Sequence, residues 1–152
     1  MKKFEFTGET KTISLFFRTA TLHRIRAVAE FGLVKIGDLG GWIEKEENLS
    51  HEGEAWVWDD AKVCGNAKVF SASHVLVIGA IGSRDDFTTF FRDKDNEITV
   101  KYGCFLGKID KFLEKVTQTH GDSKYALVYR AAVEVARLQI DLLGEAPKDA
   151  DE

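Results

Sequence analysis

The sequence predicts a mainly β protein with C-terminal α structure. The expected architecture is a short hexapeptide β-helix, capped by an N-terminal β segment and decorated by a β-hairpin and two helices. Three observations carry this expectation: a six-residue period across 54–77, alternating strand patterns on both sides of it, and two helical periodicities closing the chain. In EAWVWDDAKVCGNAKVFSASHVLV, Val57, Val63, Val69 and Val75 share one register, and Ala55, Ala61, Ala67 and Ser73 fall two residues earlier. A period of six fits neither an amphipathic helix nor a simple hairpin. It is the spacing of a parallel β-helix, in which each hexapeptide supplies one short strand and a corner. Asp59-Asp60 and Gly65-Asn66 supply residues that tolerate corner backbone angles. More loosely, the ladder extends backwards through Leu49 to Ile43, with His51 in the valine register.

Before the ladder, Lys3 to Thr7 alternates as a strand, Gly8 reads as a turn, and Thr10 to Phe17 reads as its partner strand. Leu22 to Phe31 fits two patterns. Leu22, Ile25, Val28 and Ala29 suit a helix face, whereas Leu22, Arg24 and Arg26 suit a strand. Gly32, Gly37, Gly40 and Gly41 punctuate a loop ending in Trp42, and this first part is expected to cap the open end of the β-helix. The ladder itself makes only about two coils, which is little for a repeat stack. Trp58, Cys64, Phe70 and Leu76 occupy the register outside the valines, and large apolar residues on an outer face imply a further packing partner. A homo-oligomer is therefore expected, with the long second helix as its interface.

After Leu76 the period breaks. LVIGAIG reads as a strand, SRDD as a turn, FTTFFR as the next strand, DKDN as a second turn and EITVKY as the returning strand, with GCFLG closing the hairpin. Ile109 to Thr119 carries Ile109, Phe112, Leu113 and Val116 at helical spacing, with Gly121 as its stop. Asp122 or Ser123 can cap a second helix, Lys124 to Leu142, expected to pack antiparallel on the first. The chain thus divides into a cap and short β-helix over 1–79, a hairpin and two-helix region for assembly and ligand binding over 80–145, and an acidic tail over 146–152 expected to be disordered.

Composition removes several function classes. The 152 residues carry 44% apolar and 30% charged side chains and a formal charge of −4, which offers no electrostatic case for binding long nucleic acid. Two cysteines make neither a disulfide framework nor a metal quartet, and no stretch is apolar enough for a membrane span. A soluble intracellular protein with no membrane partner is expected. No GxGxxG loop, Walker loop, HExxH or CxxC occurs, so no cofactor, metal or catalytic residue is expected. Hexapeptide acyltransferases use a His as base. His51 and His74 lie in the ladder, but the stack is short for the groove those enzymes use.

The cluster that carries chemistry follows the ladder. Arg84 and Arg92 bracket Phe87, Phe90 and Phe91, with Thr88 and Thr89 between. Guanidinium forks suit phosphate, and aromatic faces suit a base. On a strand, Thr88, Phe90 and Arg92 share one face and Phe87, Thr89 and Phe91 the other; alternation alone leaves open which is buried. His120, Lys124 and Tyr129 sit around the start of the second helix, where free N–H groups can receive an anion.

GDLGGWIEKEENLS with the following ladder resembles hexapeptide-repeat proteins of phages. The combination of GSR-TTFFR, GCF-G and THGD-KY with the short β-helix in front is similar to the phage Thoeris anti-defence sponge family, the first-described type, over nearly the whole chain. The resemblance implies subunits assembled through C-terminal helices, as dimers or hexamers. It also implies binding, without cleavage, of a cyclic ADP-ribose isomer made by bacterial TIR-domain enzymes. Some members of that family also hold cyclic trinucleotides from a second defence system, CBASS. It further implies an aromatic for adenine stacking (Phe87, Phe90 or Phe91), Asn96 for the base edge, Arg84 and Arg92 for the diphosphate, and a location in the cytoplasm of the infected bacterial host. A hexapeptide acyltransferase-like enzyme and a structural phage protein are the alternative classes.

Overall fold

A computed structural model describes residues 2–143; the predicted tail over 146–152 lies outside them. Strands β1 (Phe4–Ser14) and β2 (Thr19–Ala27) form an antiparallel hairpin, closed where Leu15 N–H donates to Arg18 O at 2.7 Å. Gly8 is not the turn. It sits inside β1 at φ +95, where the register slips between Phe6 and Thr10, so the glycine makes a bulge and the strand runs on. The ambiguous stretch from Leu22 resolves as strand, with Leu22, Ile25 and Ala27 buried. Strand β3 (Leu39–Ile43) pairs with β2, so the N-terminal segment adds to the side of the ladder's first strand. Gly40 and Gly41 belong to this strand and not to a loop. A Cβ on Gly41 would meet Trp58 O at 2.6 Å and Ala61 O at 2.7 Å, so only glycine lets the neighbouring chain lie that close.

The valine register is real, but the solenoid is not closed. Val57, Val63, Val69, Ala55, Ala61 and Ala67 are all buried in one core with Ile43 and Leu49. Strand pairing between the two levels among the described residues is β3 with the two-residue β4 (Lys62–Val63), parallel, and the Leu49–Val69 bridge, with the Gly41 and Trp42 amides donating to Val57 O and Ala61 O beside them. The strands assemble into two four-stranded sheets, β1-β2-β3-β4 and β5-β6-β7-β8, and not into a continuous parallel ladder. Partners in the parallel contacts are 20 residues apart (43 with 63, 49 with 69), because the bend through 51–54 adds to the three hexapeptides of a regular coil. His51 accordingly leaves the valine register and stacks on Phe4 at 4.2 Å.

The two levels are joined by the buried Asn48 side chain. Its Oδ1 accepts from the Glu44 and Lys45 amides at 3.2 and 3.0 Å, and its Nδ2 donates to Gly65 O and Ala67 O at 3.1 and 3.2 Å. All four hydrogen-bonding positions of the amide are used, across a gap that the short strands leave unpaired.

The expected outer face is mostly inside the protein. Cys64 packs with Leu22 and Trp42, Phe70 is buried, and Leu76 joins the core beneath the helices; only Trp58 stays out, at 49% exposure. The cover is the second sheet, an antiparallel meander of β5 (Val75–Ile81), β6 (Asp86–Arg92), β7 (Ile98–Tyr102) and β8 (Phe105–Lys108). GCFLG therefore supplies a fourth strand. Helices α1 (Ile109–His120) and α2 (Lys124–Gln139) pack on one face of this sheet, around Phe90, Val100, Phe112, Val116, Tyr129 and Val133. The other face meets the ladder through Phe91, and Thr89 Oγ1 accepts from Lys62 N–H at 3.1 Å.

His74 closes the far end of the ladder. Its Nδ1 accepts from Phe70 N–H at 3.3 Å, so in the neutral ring the proton is on Nε2, which donates to Asp141 O at 3.0 Å, just beyond α2. Burial, followed by the charge of Arg92, pushes the imidazole below its ordinary 6.5. The unfolded chain therefore takes up a proton near pH 6.5 that the folded chain refuses. The stabilising contribution is complete above that value and is lost as the pH falls through the folded pKa.

Two outcomes are expected. Asn48→Ala removes four hydrogen bonds, leaves the Lys45 amide and the Gly65 and Ala67 carbonyls without this partner, and should lower unfolding free energy by about 2–4 kcal/mol, measured by urea denaturation; a loss below about 0.5 kcal/mol would remove Asn48 from this role. The urea midpoint should fall between pH 7 and pH 5, and His74→Gln should flatten that slope. An unchanged slope in the variant would assign the acid sensitivity elsewhere.

Candidate ligand site at the turn between the fifth and sixth strands

The residues singled out in the sequence separate into three groups. The first stands around the 82–85 turn. Gly82 and Asp85 adopt φ +79 and +48, and Asp85 N–H donates to Gly82 O at 3.3 Å, which closes a tight turn and puts Arg84 at its exposed tip. Arg84 makes no ion pair or hydrogen bond among the described residues. Phe87 is 37% exposed and lies flat on Gly79, where a Cβ would come within 2.1 Å of the ring. On the helix side, His120 stacks on Tyr129 with centroids 5.6 Å apart and packs against the half-exposed Tyr125 at 5.8 Å. Lys124 is exposed in the first turn of α2, whose cap residue Ser123 makes no side-chain bond to the helix amides. Tyr129 joins the two sides: its hydroxyl lies directly under Gly82.

The second group is core. Thr88, Phe90, Phe91 and Tyr129 are fully buried, so none of them presents a surface to a ligand in the single chain. Both faces of β6 are covered, one by the helices and one by the ladder, which answers the question that alternation left open. Thr88 Oγ1 and His120 Nε2 are enclosed without hydrogen-bond partners among the described residues.

The third group lies at the opposite end of β6, roughly 20 Å from Arg84 for a strand of that length. Arg92 donates from NH1 to Lys68 O at 2.7 Å and from Nε to Asn96 Oδ1 at 3.0 Å, with its guanidinium 4.7 Å from the Phe70 ring centroid. Asn96 donates to Leu142 O at 3.0 Å. Arg92 and Asn96 therefore clamp the sheet to the ladder and to the end of α2, and do not share a site with Arg84. An extended strand separates its ends, and proximity in sequence hid that separation.

The ladder offers little to catalysis. His51 Nδ1 accepts from Lys3 N–H at 2.9 Å, which leaves the Nε2 proton for Glu46 Oε2 at 3.0 Å. With His74 bound at both nitrogens as well, neither ladder histidine has a free lone pair to act as a base. The cleft beside His51 has a volume of ≈ 150 Å³, below the roughly 300–1,000 Å³ of ordinary ligand pockets. Burial pushes the Cys64 thiol up to about 11, away from nucleophilic thiolate. Among the described residues no group of three His, Cys, Asp or Glu side chains is placed to hold a metal, and no helix is long and apolar enough to cross a membrane.

Arg84, Phe87, Lys124 and Tyr125 are exposed, and the turn is linked to the helix start through Tyr129, which underlies Gly82 and stacks on His120. Ser83, Tyr102 and Tyr125 are not among the site residues that the sequence pointed to. Tyr102 is legible only through the sheet register, which pairs Thr89 with Lys101 and so sets Tyr102 across from Thr88.

No protein-family model matches the chain. It is similar over 77 residues, at 29% identity, to a protein of Escherichia coli K12 described as the uncharacterized acetyltransferase YdcK. The match covers 48% of this chain and 24% of that protein, so the chain spans about a quarter of this curated relative.

The two arginines should part company in stability measurements. Arg92→Ala removes the Lys68 and Asn96 bonds and the Phe70 contact, and should cost about 1–3 kcal/mol in urea denaturation. Arg84→Ala should stay within about 0.5 kcal/mol of the native protein. Equal costs would mean that Arg84 is structural as well.

Proposed function

We propose that the protein is a phage anti-defence sponge. It binds a cyclic ADP-ribose-type signal made by bacterial TIR-domain proteins in the cytoplasm of the infected host, and withholds it without cleaving it. The observation that carries this reading is the Arg84 turn: an exposed guanidinium with no partner among the described residues, on a tight turn that Tyr129 links to the start of α2. A guanidinium fork fits a diphosphate and a ring face fits adenine, whereas nothing near them resembles a nucleophile with its base. The likeness of GSR-TTFFR, GCF-G and THGD-KY to the Thoeris anti-defence family supplies the signal's identity. The same reading extends to cyclic trinucleotides of CBASS, whose phosphates meet the same cations.

The surface is open in one chain, and sequestration needs enclosure. In this reading a second subunit completes it, and the outer stripe of α2 is the natural contact: Leu127, Val135 and Leu138 are 61%, 47% and 88% exposed. The short β-helix expected from the repeat is retained as the architecture of the assembled family, in which the two parallel contacts of this chain are the stacked coils.

A second reading, an acyltransferase-like enzyme, draws on the partial likeness to the acetyltransferase-named protein. The engaged nitrogens of His51 and His74 weigh against it.

The protein should bind the cyclic ADP-ribose isomer in calorimetry and release it unaltered on heat denaturation. Arg84→Ala should weaken binding by about 30-fold or more, the usual effect of losing a charge-assisted contact in a desolvated site. Ligand recovered chemically changed, or turnover of an acyl-coenzyme A, would favour the enzyme; an unaffected Arg84→Ala variant would move the site.

A further inference from the structure

Tyr129 is the largest of the fully buried side chains, and its hydroxyl is the one polar atom it must satisfy there. It donates to Tyr102 Oη at 3.0 Å. That direction leaves the oxygen's lone pairs toward the 82–85 turn. The turn comes down on them: at φ +79, Gly82 sits so close that a Cβ would be 1.7 Å from the phenol oxygen. Burial and Tyr102 raise the phenol's pKa, while the Ser83 amide and side chain act on the same oxygen in the opposite sense. Residue 84 follows directly.

Resting on the ligand reading above, we propose that the Tyr102–Tyr129 hydroxyl pair is a positioning device, which seats the Gly82–Ser83 backbone and so holds the Arg84 guanidinium ready for a phosphate. The two tyrosines never touch the ligand. They act by removing alternatives: a turn with two positive-φ residues has many conformers when unsupported, and each one frozen in advance lowers the ordering cost of binding. A phenylalanine at 129 keeps the ring packing against His120 and Phe112 but offers the turn no oxygen. The geometry also explains why residue 82 must be glycine, for two independent reasons: its positive φ and the absence of room for a side chain.

The test measures amide hydrogen exchange and calorimetric affinity for the cyclic ADP-ribose isomer in wild type, Tyr129→Phe and Tyr102→Phe. In both variants the amides of 83–86 should exchange about tenfold faster, while those of Phe90 and Val100 in the core stay unchanged. Affinity should fall about tenfold in Tyr129→Phe. In an Arg84→Lys background, where a flexible ammonium depends little on the turn, adding Tyr129→Phe should cost less than twofold. Unchanged exchange at 83–86, acceleration spread equally through the core, or equal affinity losses in the two backgrounds would overturn the proposal. If wild type does not bind the ligand at all, the functional reading falls, and the exchange data still decide whether the tyrosines hold the turn.

Discussion

One buried amide holds the first half of this protein together. The hexapeptide segments are too short to pair along their length, so the two levels of the ladder meet through few backbone bonds. Asn48 fills the gap by speaking to both levels at once, accepting from two amides of the lower corner and donating to two carbonyls of the upper. A hydrophobic side chain of the same volume would remove all four bonds; the Glu44 amide would keep Val63 O at 3.2 Å, and each group left unpaired where it is buried costs about 1–3 kcal/mol. The rest follows from that stacking. With the two levels joined, the valines and alanines share one buried core, which Phe4 and Ile25 of the N-terminal hairpin and Phe91 of the second sheet also enter. Lys3 repeats the device on a smaller scale, its buried ammonium donating to Ala55 O at 2.7 Å beneath the Phe31 ring.

The polar contacts that position the second half are of the same kind: a side chain reaching to a main-chain group far away in sequence. His74 reaches Asp141, Asn96 reaches Leu142 and Arg92 reaches Lys68. Asp93 does this locally, accepting from the Asp95 and Glu97 amides and the Thr99 hydroxyl, while Lys108 bridges to it at 3.2 Å. Burial works to lower the pKa of that ammonium, but the carboxylates of Asp95, Glu97 and Asp93 together outweigh it and hold it above its usual range. At the other end of β6, Arg84 makes no contact of this kind among the described residues.

Much of this was legible. The period of six correctly marked Val57, Val63 and Val69 as inward, because burial depends on which way a side chain points and the pleat sets that locally. The helix starts and stops near Ile109, Gly121 and Lys124 were legible for the same reason. What failed was long-range. Gly8 looks like a turn because bulge and turn ask the same backbone angle of a glycine. The structural contacts of Arg92 were hidden because the residues it binds, Lys68 and Phe70, precede it by more than twenty positions. The burial of Tyr129 was not legible, since a helix pattern does not say whether a phenol points at solvent or at the underside of a turn.

Phe90 and Phe91 are neighbours in the chain and belong to different interiors, the first beneath the helices and the second against the ladder. A single strand thus serves as a common wall between two cores. Neither compartment can open without disturbing side chains whose backbone the other compartment is holding, so fluctuations large enough to expose one will be transmitted to the other. Although its strands are divided between two sheets, the molecule is wired to lose its structure as one cooperative unit.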